Sequence, residues 1–171
     1  NQAPGGTVFN AVSPADASGS ITSGGTPDAD GYYWYNYEGG GVGLSIDRPM
    51  DLGGRKVILF VDSADLLINA RINLNDGAGF FLAIVGKNST VAKGNIIVSP
   101  AVGGGAFDLE GIYVADGRFE TGFSGTALNV RGSVTGYDGI AMQRDLAGSG
   151  NTNPSEFYEY APDQILLFPK K

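Results

Sequence analysis

The chain has no cysteine and no histidine among its 171 residues. Without thiols there is no disulfide and no thiolate nucleophile. Without imidazole there is no ordinary neutral-pH acid–base group, haem ligand or structural zinc site. Chemistry is left to carboxylates, hydroxyls, amines and the backbone, and no cofactor is expected. The missing cysteines fit either side of a membrane, since a large enough core needs no cross-link. Basic residues are scarce too: 11 Lys and Arg face 18 Asp and Glu, a formal net charge of −7. That balance repels a phosphate backbone and excludes nucleic acid as a partner. Long hydrophobic runs are absent. The longest charge-free apolar stretch, Gly79 to Gly86 (GFFLAIVG), falls far short of the roughly 20 residues of a membrane helix. The chain starts at Asn1 rather than Met, as a processed or excised segment would.

What the chain has is glycine and alternation. Gly 28 and Pro 8 together make about a fifth of the residues, alongside 42% apolar and 11% aromatic content, a pairing that predicts many short strands joined by tight turns. Residues 1–30 are small and polar, with scattered apolar positions at Val8, Phe9, Val12 and Ile21, and read as an extended arm or linker. Residues 31–147 carry the strand signals: Tyr32 to Tyr37, Val57 to Val61, Phe80 to Ile84, Asn95 to Val98, Leu109 to Ala115, Ala127 to Thr135 and Gly139 to Gln143. Leu66, Ile68, Ala70, Ile72 and Leu74 alternate with Leu67, Asn69, Arg71 and Asn73 over nine residues, which turns one face to a core and the other to water. No window has a helical period. Residues 148–171 read as a loop, Gly148 to Pro154, followed by a capping or docking segment with Phe157, Tyr158 and Tyr160.

The corners are Gly, Asp-Gly or Asn-Asp-Gly, as at Asn75-Asp76-Gly77, rather than long loops. Short strands, tight corners and a continuous inward apolar face predict an all-β fold, an irregular single-stranded β-solenoid (β-helix) with aromatic capping segments. It is irregular because no strict repeat length emerges. A β-sandwich with Greek-key connections is the alternative.

Three phrases carry a resemblance: GRKVILFVDSADLLINARINLNDGAGFFLAIV at 54–85, LEGIYVADGRFETG at 109–122 and LNVRGSVTGYDGIAMQRDL at 128–146. Together with the tail PDQILLFP, they resemble the phrasing of β-helical domains in bacterial surface and type IV pilus-associated proteins, over roughly residues 32 to 168. The resemblance implies a solenoid fold and a place at the cell surface or on a pilus-like structure. It implies no active-site residue.

Candidate chemistry is sparse. Asp28-Ala29-Asp30-Gly31 begins like a calcium loop, but its fifth position is Tyr32 and its twelfth Gly39, so the EF-hand register fails. Asp28 and Asp30 remain weak metal candidates beside the reading of a polar turn. Asp62 with Asp65, and Asn73 with Asn75 and Asp76, read the same way or as hydrogen-bonded ladders at solenoid corners. An enzyme built from these residues would be carboxylate-based and polysaccharide-active, drawing on Asp108, Glu110, Asp116, Glu120, Arg118 and Arg144. Solvated turn charges account for them equally. Tyr33, Trp34, Tyr35 and Tyr37 could form a sugar-stacking platform or a hydrophobic cap. Asn88-Ser89-Thr90 is a glycosylation sequon of the kind that arises by chance, and the Gly103 to Gly105 run lacks the Lys of a phosphate loop.

The expectation is therefore a non-enzymatic structural module of an extracellular appendage, filament or adhesin. It would self-associate or dock to another surface subunit by donating its N-terminal arm (Val8, Phe9, Val12) as a strand. A carbohydrate-binding module with a glycan partner is the first alternative, a polysaccharide-active enzyme the second.

Overall fold

Inward-facing apolar side chains alternate with outward ones along every long strand, and the strands lie over one another rather than side by side in hairpins. The computed structural model describes residues 7–74, 78–87, 94–147 and 152–169. The Asn75-Asp76-Gly77 corner, the Asn88 sequon and Gly148 to Asn151 lie outside them. The strands, in chain order, are β1 (Asn10–Ala11), β2 (Tyr32–Glu38), β3 (Leu44–Ile46), β4 (Met50–Asp51), β5 (Lys56–Asp62), β6 (Leu66–Ile68) and β7 (Ile72–Asn73). There follow β8 (Phe80–Gly86), β9 (Ile96–Val98), β10 (Leu109–Ala115), β11 (Phe119–Glu120), β12 (Leu128–Gly136), β13 (Ile140–Ala141) and β14 (Glu156–Glu159).

They stack as a β-solenoid of about six turns. One sheet runs β1-β2-β5-β8-β10-β12-β14, with β4 and β7 continuing it around a short third side; the other runs β3-β6-β9-β11-β13. The strand pairs are parallel, which rules out the antiparallel sandwich. The turn length varies with the loops, and this is why no repeat is legible. Tyr32 pairs with Lys56 and Lys56 with Phe80, 24 residues on each time (32, 56, 80). Leu82 pairs with Ile112, 30 residues on (82, 112).

The nine-residue alternation from Leu66 to Leu74 is real but is not one strand. β6 and β7 belong to different sheets, and the inward phase survives the corner between them. Each inward position repeats as a ladder, for example Leu44, Leu66, Ile96, Phe119 and Ile140. At corners polar side chains stack: Asp65 Oδ1 accepts from Gly94 N (3.1 Å) and from both nitrogens of Asn95 (2.9 and 3.0 Å), and Asn95 Oδ1 accepts from Arg118 N (2.9 Å). The hydrogen-bonded ladder expected of corner Asn and Asp is present at Asp65.

Two helices interrupt the β pattern. Helix α1 (Ala17–Ser23) starts at Asp16, whose side chain accepts from Gly19 N at 2.8 Å. Its sequence, ASGSITS, has poor helix propensity, and at seven residues it is too short to display a period. Tertiary packing holds it: Ile21 is fully buried in the core that the first turn leaves open. The extended arm expected over residues 1–30 is therefore extended only in part. Helix α2 (Pro162–Leu166) follows β14 and begins with Pro at a position that lacks an intrahelical N–H partner anyway.

Candidate functional site

The aromatic strand is β2, and its two faces meet two different hydrophobic layers. Tyr35 lies wholly inside the solenoid, with Tyr33 and Tyr37 packed against the same core. The Tyr35 hydroxyl donates to the Ser20 and Gly24 carbonyls of the N-terminal segment, and Arg55 stacks over the Tyr33 ring. Tyr32 and Trp34 face outward, yet both are buried in a second cluster with Ile58, Phe80 and Leu82. Trp34 is stacked on Phe60 (6.3 Å, 8° between planes) with Phe9 edge-on to both rings. The strand is thus an anchor between layers, with Tyr32, Trp34 and Tyr35 buried and Tyr33 and Tyr37 half-buried.

Asp28 is committed to that anchor. Its Oδ1 accepts from Asp30 N and Tyr32 N, and its Oδ2 accepts from Trp34 Nε1 at 2.7 Å. Desolvation pushes its carboxyl up, but these hydrogen bonds, led by the indole's, outweigh it and hold the group below the usual carboxylate range. The pattern is a polar turn bracing a strand. Among the described residues no three acidic groups gather in a way that could hold a metal ion.

The N-terminal arm is also engaged within its own chain. Asn10 and Ala11 pair with Tyr35 and Asn36 as the first strand of the sheet. Val12 is buried, Phe9 lies on Trp34 and Phe60, and only Val8 is left largely free at 76% exposure. With α1 packed on β3 and β4, this segment closes the N-terminal end of the solenoid.

The charged candidates for catalysis are spread over several corners and strands, with Asp108 near enough to Arg144 to act on its charge. Asp108 is buried at a corner, where it accepts from Gly105 N and Asn129 N and pairs with Arg71. Glu110 accepts from Leu74 N and meets Arg131, which also pairs with Glu159 and Asp163. Asp116 accepts from Lys87 N and shares the corner between β10 and β11 with Arg118, while Glu120 lies in β11. Arg144 is a structural staple: Nε and both terminal nitrogens donate to the carbonyls of Thr121, Ser99, Pro100 and Thr126, and burial pushes its pKa down.

The C-terminal end is built differently from the N-terminal one. β14 covers only Leu128 to Arg131 of β12, placing Tyr158 over Val130. The rest of β12 and the whole of β13 have no strand above them among the described residues. Two inward ladders therefore end in the open. The first passes through four fully buried residues, Leu44, Leu66, Ile96 and Phe119, to Ile140 at 41% exposure. The second passes through Ile46, Ile68 and Val98, and continuing the register by one residue past β11 and β13 leads through buried Thr121 to Met142 at 62%. Tyr137, at the adjoining corner, is 77% exposed. Of the C-terminal segment, β14 covers this end over Leu128 to Arg131. Beyond Ala161 the segment crosses the outer face of the first sheet, where Asp163 pairs with Arg131 (2.7 Å), the Tyr32 hydroxyl donates to the Leu167 carbonyl (2.6 Å) and Phe168 stands edge-on to Phe80.

The sequence marks Gly139 to Gln143 as one strand among many and does not reveal its place as the last rung of its sheet. The signal that could have found it is position, as the final alternating segment before the Gly148 to Pro154 loop. Comparison with protein-family models, curated proteins and solved structures finds no match to this chain.

Proposed function

We propose that the chain is a non-enzymatic structural module of an extracellular appendage, filament or adhesin, and that it associates through the C-terminal end of its solenoid. The asymmetry of the two ends carries this reading. One end is closed by β1 and α1, while the other presents the edges of β12 and β13 beside Tyr137, Ile140 and Met142. Sheet edges flanked by apolar side chains template pairing with another chain, and proteins that stay monomeric blunt them with charge, proline or a covering element. The likeness of the turn phrases to surface β-helices supports the location. The N-terminal arm, already paired with β2, is a cap in this reading rather than a donated strand.

Negative-stain electron microscopy of the purified chain beside Met142→Lys tests the proposal. Particles joined at one end, and separated by the substitution, are expected. Uniform single particles in both samples would overturn it.

A further inference from the structure

Resting on that reading, we infer that the occupant of the C-terminal end is a second copy of this chain, joined head to head about a two-fold axis through Ala141, with β13 pairing antiparallel to its counterpart.

The backbone fixes the axis. The carbonyls of Gly139 and Ala141 are taken by Phe119 N and Thr121 N of the turn below. Hydrogen-bonding groups alternate sides along a strand, so the N–H and C=O of Ile140 and Met142 face the free edge. An antiparallel partner centred on Ala141 brings Ile140 of each copy opposite Met142 of the other, and such opposed residues exchange both hydrogen bonds. Ala141 then faces its own counterpart as a non-hydrogen-bonded pair, with Cα atoms about 4.5 Å apart.

Other arrangements of two copies fail at the other end. Head-to-tail stacking would need an open N-terminal end, but there β1 takes the middle of β2 at Tyr35 and Asn36, and α1 packs against β3 and β4. Charge agrees with the two-fold. Antiparallel pairing about residue 141 sets Asp138, already paired with Lys87, opposite the backbone of Arg144, whose guanidinium is buried in its own chain, and sets Asp145 opposite Tyr137. No carboxylate then opposes a carboxylate. The area suffices as well: the exposed parts of Tyr137, Ile140, Met142, Phe157 and Tyr160 in the last turn amount to on the order of 500 Å² per copy, so two copies reach the roughly 1,000 Å² that marks a specific interface.

The absence of cysteine makes the test clean. Ala141→Cys places one thiol on each side of the proposed axis, within disulfide reach. Ser45→Cys occupies the corresponding rung at the closed end, since Ser45, Leu67, Ile97, Glu120 and Ala141 form one ladder. Analytical ultracentrifugation of the unmodified chain should give a concentration-dependent dimer, reduced at least tenfold in affinity by Met142→Lys with an unchanged circular dichroism spectrum. Mild oxidation should cross-link Ala141→Cys and leave Ser45→Cys without a covalent dimer. Assemblies that form while the Ala141→Cys variant fails to cross-link, or that extend beyond a dimer, would overturn the two-fold while leaving end association standing. A monomer at all concentrations would overturn both.

Discussion

Trp34 is the single tryptophan of the chain, so its fluorescence reports one site, the indole N–H held by Asp28. Because the folded-state pKa of Asp28 is lowered, the stability it contributes is present above its unfolded value of about 3.9 and is lost as pH falls through the lower folded value. The emission of Trp34 should accordingly stay constant from neutral pH down to about pH 4 and shift below it. Asp28→Asn should abolish that acid step, a comparison read directly by fluorescence titration. Tyr158 offers the opposite case. Burial, reinforced by the nearby Glu156 carboxylate, pushes its phenol up to about 12, and its buried hydroxyl has no hydrogen-bond partner among the described residues. The raised pKa means that its contribution is whole below the unfolded value of about 10 and disappears as pH climbs through 12. Removing an unsatisfied buried hydroxyl relieves a desolvation cost, so Tyr158→Phe should leave urea stability unchanged or raise it by up to about 1 kcal/mol. A loss of more than that would show that the hydroxyl has a partner.

At the scale of elements, stability rests on ladders whose members must match in size from turn to turn. Phe119 lies between Ile96 and Ile140 and packs its ring against Tyr113 in a neighbouring ladder. Phe119→Ala should cost about 3–5 kcal/mol in equilibrium unfolding, because the turns above and below cannot collapse independently into the space. Where strands approach most closely the ladder demands glycine. Gly132 stacks on Gly111, both at positive φ (140° and 148°), and a Cβ on Gly132 would meet the Gly111 carbonyl. Gly132→Ala should therefore destabilise by at least about 2 kcal/mol, through strain and displacement of β12 from β10. Alternation by itself told none of this: it marks which side of a strand faces in, but whether a position tolerates a side chain depends on the residue one turn below. The same limit explains the missed helices. ASGSITS is helical because Ile21 finds a socket at the end of the solenoid, and that socket is assembled from residues on later strands, far along the chain.

Across the whole molecule the two ends and the outer face divide the work. The N-terminal segment closes one end and lends Phe9 to the outer aromatic cluster, while the C-terminal segment straps the other side of that face from Arg131 to Tyr32. Deleting residues 1–24 removes β1, α1 and both carbonyls that accept from the Tyr35 hydroxyl. The truncated chain should melt at a lower temperature and scatter light at concentrations where the intact chain stays clear, as expected of a bared sheet edge. Unchanged melting would mean that this segment caps nothing.

The sequence by itself determined the class of fold. Period-two alternation, a fifth of the chain as Gly and Pro, and Asn or Asp at the corners fix an all-β chain of short strands and favour a solenoid over a sandwich, a choice the parallel pairing settled, and the inward residues from Leu66 to Leu74 could be named one by one. It also determined what chemistry is missing, because composition needs no coordinates. Tertiary structure alone decided which residues are available at the surface. The rings of β2 look like a binding platform in sequence, yet Tyr32, Trp34 and Tyr35 are buried between two layers, whereas Ile140 and Met142 look like ordinary core positions and stand open. Both outcomes follow from what lies one turn away, since burial in a solenoid belongs to the neighbouring turn, a relation between residues distant in the chain that no local pattern encodes.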